Sequence, residues 1–153
     1  MKKAIVIGAT SGIGLDVACL LAERGYIVGV AGRRVDRLEA IVKSNDNIKA
    51  YRQIDVRDEV APQQLNELID ELGGMDLYFH SSGIGWENCE LDIEREMKTV
   101  ETNGLGFTRM VTVAYSWFAN NNKGGQIACI TSIARTRGLG AAPAYSATKR
   151  FQS

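Results

Sequence analysis

Gly8-Ala9-Thr10-Ser11-Gly12-Ile13-Gly14 follows the apolar run Ala4-Ile5-Val6-Ile7 and opens a stretch of helical periodicity. That order of strand, glycine-rich turn and helix decides the fold. Gly8 permits a sharp turn off the strand, and Gly12 lets backbone approach a pyrophosphate with no Cβ in the way. Gly14 lets helix and strand pack closely. The helix N-terminus would present free N–H groups and the positive end of its dipole to that phosphate. The plain alternative is an ordinary glycine-rich turn, and the strand–turn–helix setting counts against it.

Working outward, Ile13, Val17, Leu20 and Leu21 recur at helical spacing and predict a helix over 13–24, closed by Gly25. A second strand follows at 27–31, then a helix at 35–43 with Leu38, Ile41 and Val42 on one side. Residues 48–54 form a more polar strand, suited to a sheet edge. Leu65, Leu68, Ile69 and Leu72 mark a helix over 62–72, closed by Gly73-Gly74. A strand at 77–79 precedes a long helical region over 91–119, bent near Asn103-Gly104. A strand at 126–131 and a helix starting near Tyr145 complete the pattern. The Gly- and Ala-rich loop 134–143 is a candidate ligand-facing segment.

Strands alternating with helices indicate βαβ units and a parallel sheet covered on both faces. The expectation is one domain over 1–153, a Rossmann-type doubly wound, three-layer α/β/α sheet. Five strands are expected where such a domain has six, so it is read as incomplete at the C-terminus. It would lack the last one or two strands and leave strand 126–131 as a bare edge.

Composition narrows the partners. The 153 residues suit a single domain and are 45% hydrophobic. Lys plus Arg and Asp plus Glu each total 18, a balance that argues against nucleic-acid or membrane-surface binding. Cys19, Cys89 and Cys129 form no CxxC pair and read as reduced structural thiols. His80 is the only histidine, which argues against a zinc site. The apolar run at the start stops at Gly8, short of a secretory segment, and no run is long enough to span a bilayer. A soluble cytoplasmic protein is expected.

Cofactor choice rests on the end of the second strand. A domain for NAD places Asp or Glu there to hold the ribose hydroxyls. This chain has Gly32, then Arg33 and Arg34. A guanidinium fork suits a 2′-phosphate, so NADP (NADPH) is expected over NAD. Taken alone, both arginines could be solvated surface charge. Two cations at a helix start are disfavoured by its dipole, however, and a bound phosphate would offset that.

Tyr145-Ser146-Ala147-Thr148-Lys149 puts a phenol and an ammonium on one helical face. A nearby cation favours phenolate and makes the pair fit for acid–base work, although alone it could be an unrelated exposed pair. Ser132 falls at the C-terminal end of a strand, where ligands bind in open α/β sheets. Asn103, taken alone, reads as a bend.

The turn spacing together with Asn103, Ser132, Tyr145 and Lys149 resembles the short-chain dehydrogenase/reductase family over essentially the whole chain. The resemblance implies an oxidoreductase transferring hydride between NADP(H) and a carbonyl or alcohol substrate. Tyr145 would be general acid in reduction and base in oxidation. Lys149 would support its phenolate and bond the nicotinamide ribose. Ser132 would hold and polarise the carbonyl, and Asn103 would steady a water leading from Lys149 to solvent. Cofactor contacts are implied at Gly8, Thr10, Ser11, Gly12, Ile13 and Gly14, at Arg33 and Arg34, and at Asp55 and Val56 beside the adenine. They are also implied at Ser82, Gly83, Tyr145 and Lys149.

The chain departs from the family at His80-Ser81-Ser82-Gly83, where Asn-Asn-Ala-Gly is usual. His80 is read as structural, and Trp86, Glu87 and Asn88 as either surface packing or substrate contact. Family members pair the long helix and the Tyr–Lys helix across an interface. With Phe107, Met110, Val111, Val113, Ala114, Trp117 and Phe118 so broadly apolar, a homo-dimer or homo-tetramer is expected. No metal, nucleic acid or membrane partner is expected. The alternative to an enzyme is a non-catalytic NADP-binding module.

Overall fold

The computed structural model describes residues 1–121 and 124–153. The central strand β1 (Lys3–Ile7) alternates its apolar side chains between the two faces of the sheet. Ile5 and Ile7 enter a core shared with α3 (Ala61–Leu72) and α5 (Phe107–Asn120). Val6 enters a second core with β2 (Ile27–Gly32), α1 (Gly12–Glu23) and α2 (Val35–Ser44). A sheet buried on both faces needs apolar residues at nearly every position, which Ala4-Ile5-Val6-Ile7 supplies.

The sheet is parallel, in the order β3 (Ile48–Gln53), β2, β1, β4 (Leu77–His80), β5 (Gln126–Cys129). This is the first five-sixths of the doubly wound order, with its switch point between β1 and β4. The polar strand β3 lies at an edge as its composition predicts. Arg52 on its outer part donates to Glu67 and Glu71 of α3 at 3.0 and 3.1 Å. The half-buried β5 forms the other edge.

Two expectations are corrected, in α1 and in the strand at 126–131. In α1 the sheet-facing stripe is Gly14, Ala18 and Ala22. Ile13 and Leu20 are more than half exposed, because small residues are what allow a helix to lie close against strands. The long helical region is continuous, and its irregularity falls where the bend was expected, at Asn103-Gly104. α4 (Ile93–Val100) runs through a π-helical turn, Glu101–Gly106, into α5. The strand expected over 126–131 ends at Cys129. Its continuation leads to a 3-10 turn, Ile133–Arg135, inside the expected loop, and the last helix, α6, begins at Pro143 (Pro143–Phe151).

The breadth of the α5 apolar face is largely consumed within the molecule. Met110, Ala114 and Phe118 are buried, and Val111, Val113 and Trp117 pack against the same core. Among the described residues no helix is long and apolar enough to cross a membrane.

Candidate active site

The C-terminal ends of the strands open onto a cleft of about 610 Å³. Its floor is the turn after β1. Gly8 adopts φ 81°, and a Cβ there would lie 2.7 Å from Ser82 N, so the turn packs directly against the segment leaving β4. A Cβ at Gly14 would collide with the Gly8 carbonyl. Ser11 precedes α1 with no side-chain hydrogen bond to the helix, and no acid lies in the first turn. The first-turn N–H groups are therefore left to an external acceptor.

One wall follows β2. Arg34 donates from Nη2 to Thr10 Oγ1 at 2.7 Å and to Ser11 Oγ at 2.9 Å, and from Nε to Thr10 Oγ1 at 3.2 Å. The Arg33 side chain is exposed at the rim and makes no hydrogen bond among the described residues. Asp55 and Val56 line the same wall. Asp55 is engaged by Arg57, whose Nη2 and Nε donate to the carboxylate, and this bond holds the Asp55 carboxyl below its ordinary range. Arg57 itself lines the cleft. Nothing local in the sequence distinguished it from other surface arginines.

The opposite wall brings Tyr145 and Lys149 together on α6, with Lys149 Nζ 5.7 Å from the Tyr145 ring centroid. Lys149 is 5% exposed, and burial pushes its pKa down. Over this pair passes the segment Gly83-Ile84-Gly85. A Cβ at Gly83 would sit 3.4 Å from both Lys149 Nζ and Asn103 Oδ1, and one at Gly85 would strike the Tyr145 ring. Asn103 is fully buried. It accepts from Ile84 N at 2.9 Å and donates to Ile84 O at 2.7 Å, clamping the segment from below. The π-helical turn swings Asn103 into this position, a placement that simple helical spacing does not reveal.

Of the expected site residues, Gly8, Thr10, Ser11, Ile13, Arg33, Arg34, Asp55, Val56, Ser82, Gly83, Tyr145 and Lys149 line the cleft. Gly12, Gly14, Asn103 and Ser132 stand behind or beside it. Ser132 Oγ accepts from Ala134 N at 3.2 Å, capping the 3-10 turn, and this leaves its own proton free to donate. His80 is 2% exposed and shares a 2.8 Å hydrogen bond with Tyr78 Oη through Nδ1. Burial, then the Lys149 cation, lowers its pKa to about 4.

Trp86 and Glu87 line the cleft. Asn88 does not, for it is buried and exchanges bonds with Asp92 and Glu96. Glu96 Oε2 also accepts from Ala144 N at 3.0 Å, so one carboxylate ties the loop after β4 to the start of α6.

The chain belongs to the short chain dehydrogenase family, whose family model matches residues 2–152. It is 32% identical to an uncharacterized oxidoreductase of Myxococcus xanthus, aligning 99% of this chain with 62% of that protein. It is 33% identical to a "probable NADP-dependent dehydrogenase" of Haemophilus influenzae, over 97% of this chain and 60% of the relative. The fold superposes with TM-score 0.91 and 26% identity on an alcohol dehydrogenase from the archaeon Thermococcus sibiricus complexed with 5-hydroxy-NADP, covering 99% of this chain and 67% of that one. Against actinorhodin polyketide ketoreductase with NADPH the TM-score is 0.86 at 30% identity, over 97% and 60% of the two chains. The chain thus spans about three-fifths of the length of the curated relatives it matches.

Proposed function

We propose that this chain forms the nucleotide-binding and catalytic part of an NADP(H)-dependent oxidoreductase acting on a carbonyl or alcohol substrate. One observation carries the reading. A single cleft joins an uncapped helix N-terminus and two arginines at one end to a Tyr–Lys pair at the other. The residues fit a phosphorylated dinucleotide. First-turn N–H groups of α1 would take the pyrophosphate. Arg33 would take the 2′-phosphate, with Arg34 bracing the turn. Lys149 would meet the nicotinamide ribose. NADPH, when bound, supplies the hydride.

The chain's own part is proton handling. Tyr145 gives a proton to the carbonyl oxygen as charge develops there, and takes one back in alcohol oxidation. The Lys149 ammonium stands beside the phenol, 5.7 Å from its ring centroid. Ser132 donates its free proton to the same oxygen and holds it in register. Ile84, Trp86, Leu139 and Ala142 give the substrate end an apolar lining, which suits a small carbonyl compound. Reduced Cys19, Cys89 and Cys129 accord with a cytoplasmic location. A homo-oligomer would use α4, where Ile93, Met97 and Val100 form an exposed stripe, with Leu105 and Tyr115 exposed nearby. Sedimentation as a monomer at micromolar concentration would count against it.

The test is NADPH consumption by the full-length protein over a panel of ketones and aldehydes. Tyr145→Phe should abolish turnover and leave NADPH binding nearly intact, since the phenolic proton matters only as charge develops. Lys149→Ala should weaken both. Substantial turnover in Tyr145→Phe would overturn the mechanism.

A further inference from the structure

An ammonium carries three N–H donors. Lys149 spends two of them inside the protein, on Ile130 O and on Gln152 Oε1, each at 3.0 Å. The other end of the Gln152 carboxamide donates from Nε2 to Asn103 O at 2.9 Å, within the π-helical turn. Gln152 is only 7% exposed. Burying a carboxamide is unfavourable unless both ends are bonded. Here both are, one to the buried lysine and one to the turn that clamps the segment over Tyr145.

We propose that Gln152 is a positioning residue, whose carboxamide ties the Lys149 ammonium to the Asn103 carbonyl and leaves one lysine N–H for the cleft beside Tyr145. The proposal rests on the reading of Tyr145 and Lys149 given above. The surroundings of Lys149 explain why a neutral acceptor is needed. The titratable groups facing it are Tyr145 on α6, Cys129 on β5 and His80 on β4. Among the described residues no carboxylate pairs with it. Burial works against its charge and Cys129 works for it, while the carbonyl oxygens of Ile130 and Gln152 accept from the ammonium. A carboxylate at the same place would secure the cation more firmly and also cancel its field at the phenol. The amide holds the charge without neutralising it.

The experiment is an NMR titration of the lysine side chains in the full-length protein, isotope-labelled at lysine Cε, with Lys149 assigned by Lys149→Met. Gln152→Glu keeps the shape and should raise the Lys149 titration midpoint by about one pH unit. Gln152→Leu removes the acceptor and should lower it by about as much. Opposite shifts of one lysine are a signature that loss of packing would not produce. Midpoints unmoved in both variants, or moved in the same direction, overturn the proposal. Turnover of Tyr145→Phe is measured on the same preparations. Full activity there would sink the acid–base reading and leave the Gln152 tie standing or falling on the titration alone.

Discussion

The two arginines after β2 make different predictions, because the structure gives them different work. Arg34 has its guanidinium on Thr10 Oγ1 and Ser11 Oγ, the hydroxyls of the phosphate turn. Arg33 has no side-chain partner among the described residues, and its backbone carbonyl accepts from Gln53 Nε2 at 3.0 Å. The free fork is the one available to a 2′-phosphate. Removing a charge-assisted hydrogen bond costs about 1.5–3 kcal/mol, and each 1.4 kcal/mol or so is tenfold in affinity. Arg33→Ala should therefore weaken NADPH binding by roughly ten- to a hundredfold and leave NADH binding within about twofold. Arg34→Ala should weaken both cofactors, since it loosens the turn that both would use. The assay is titration of NADPH and NADH fluorescence against the full-length protein at low and high salt. Salt should erode the NADPH preference of the parent and have little effect in Arg33→Ala, because the contact at stake is an exposed ion pair. Equal affinities in the parent protein, or an undiminished preference in Arg33→Ala, would refute the reasoning.

Three further outcomes follow from the packing around the cleft. In Gly85→Ala the added methyl strikes the Tyr145 ring, so kcat should fall by about a hundredfold through misplacement of the phenol. An unchanged kcat would show that the segment yields freely. Glu96→Ala unties the loop after β4 from α6 and should cost about 1–2 kcal/mol in urea unfolding; a loss below a few tenths would mean that the bonds are redundant. His80, with its pKa lowered from 6.5 to about 4, stays neutral in the folded state while the unfolded chain takes up a proton. Its contribution is whole above pH 6.5 and is lost as pH falls toward 4, by about 3 kcal/mol. Urea midpoints of the parent and of His80→Asn across that window should diverge, and parallel curves would dismiss the effect.

What could be read from the chain, and what could not, divides by the distance over which the cause acts. The turn after β1 was legible because much of what its glycines answer is local: a positive φ at Gly8 and Gly12, and the close approach of Gly14 to the Gly8 carbonyl. The nearness of Tyr145 and Lys149 was legible because helix geometry puts i and i+4 on one face, while their place in a site came from the family resemblance. The polar edge strand β3 declared itself by composition. The α1 stripe was misread for an equally physical reason. Periodicity registers apolar bulk, whereas Gly14, Ala18 and Ala22 face the sheet because they are small.

Asn103 shows where local reading ends. Its neighbours gave it the look of a bend, and a π-helical turn falls there. Its side chain meets Ile84, 19 positions earlier, and its carbonyl meets Gln152, 49 positions later. Gln152 was invisible for the same reason. At the C-terminal cap of α6 it is one more polar residue a turn beyond Lys149, and only the approach of the π-helical turn makes its two polar ends useful. Asn103, Gln152 and Lys149 thus form a chain of three that no spacing rule links. Through it the packing of α6 against the π-helical turn is coupled to the charge of Lys149, which is buried beside the cleft.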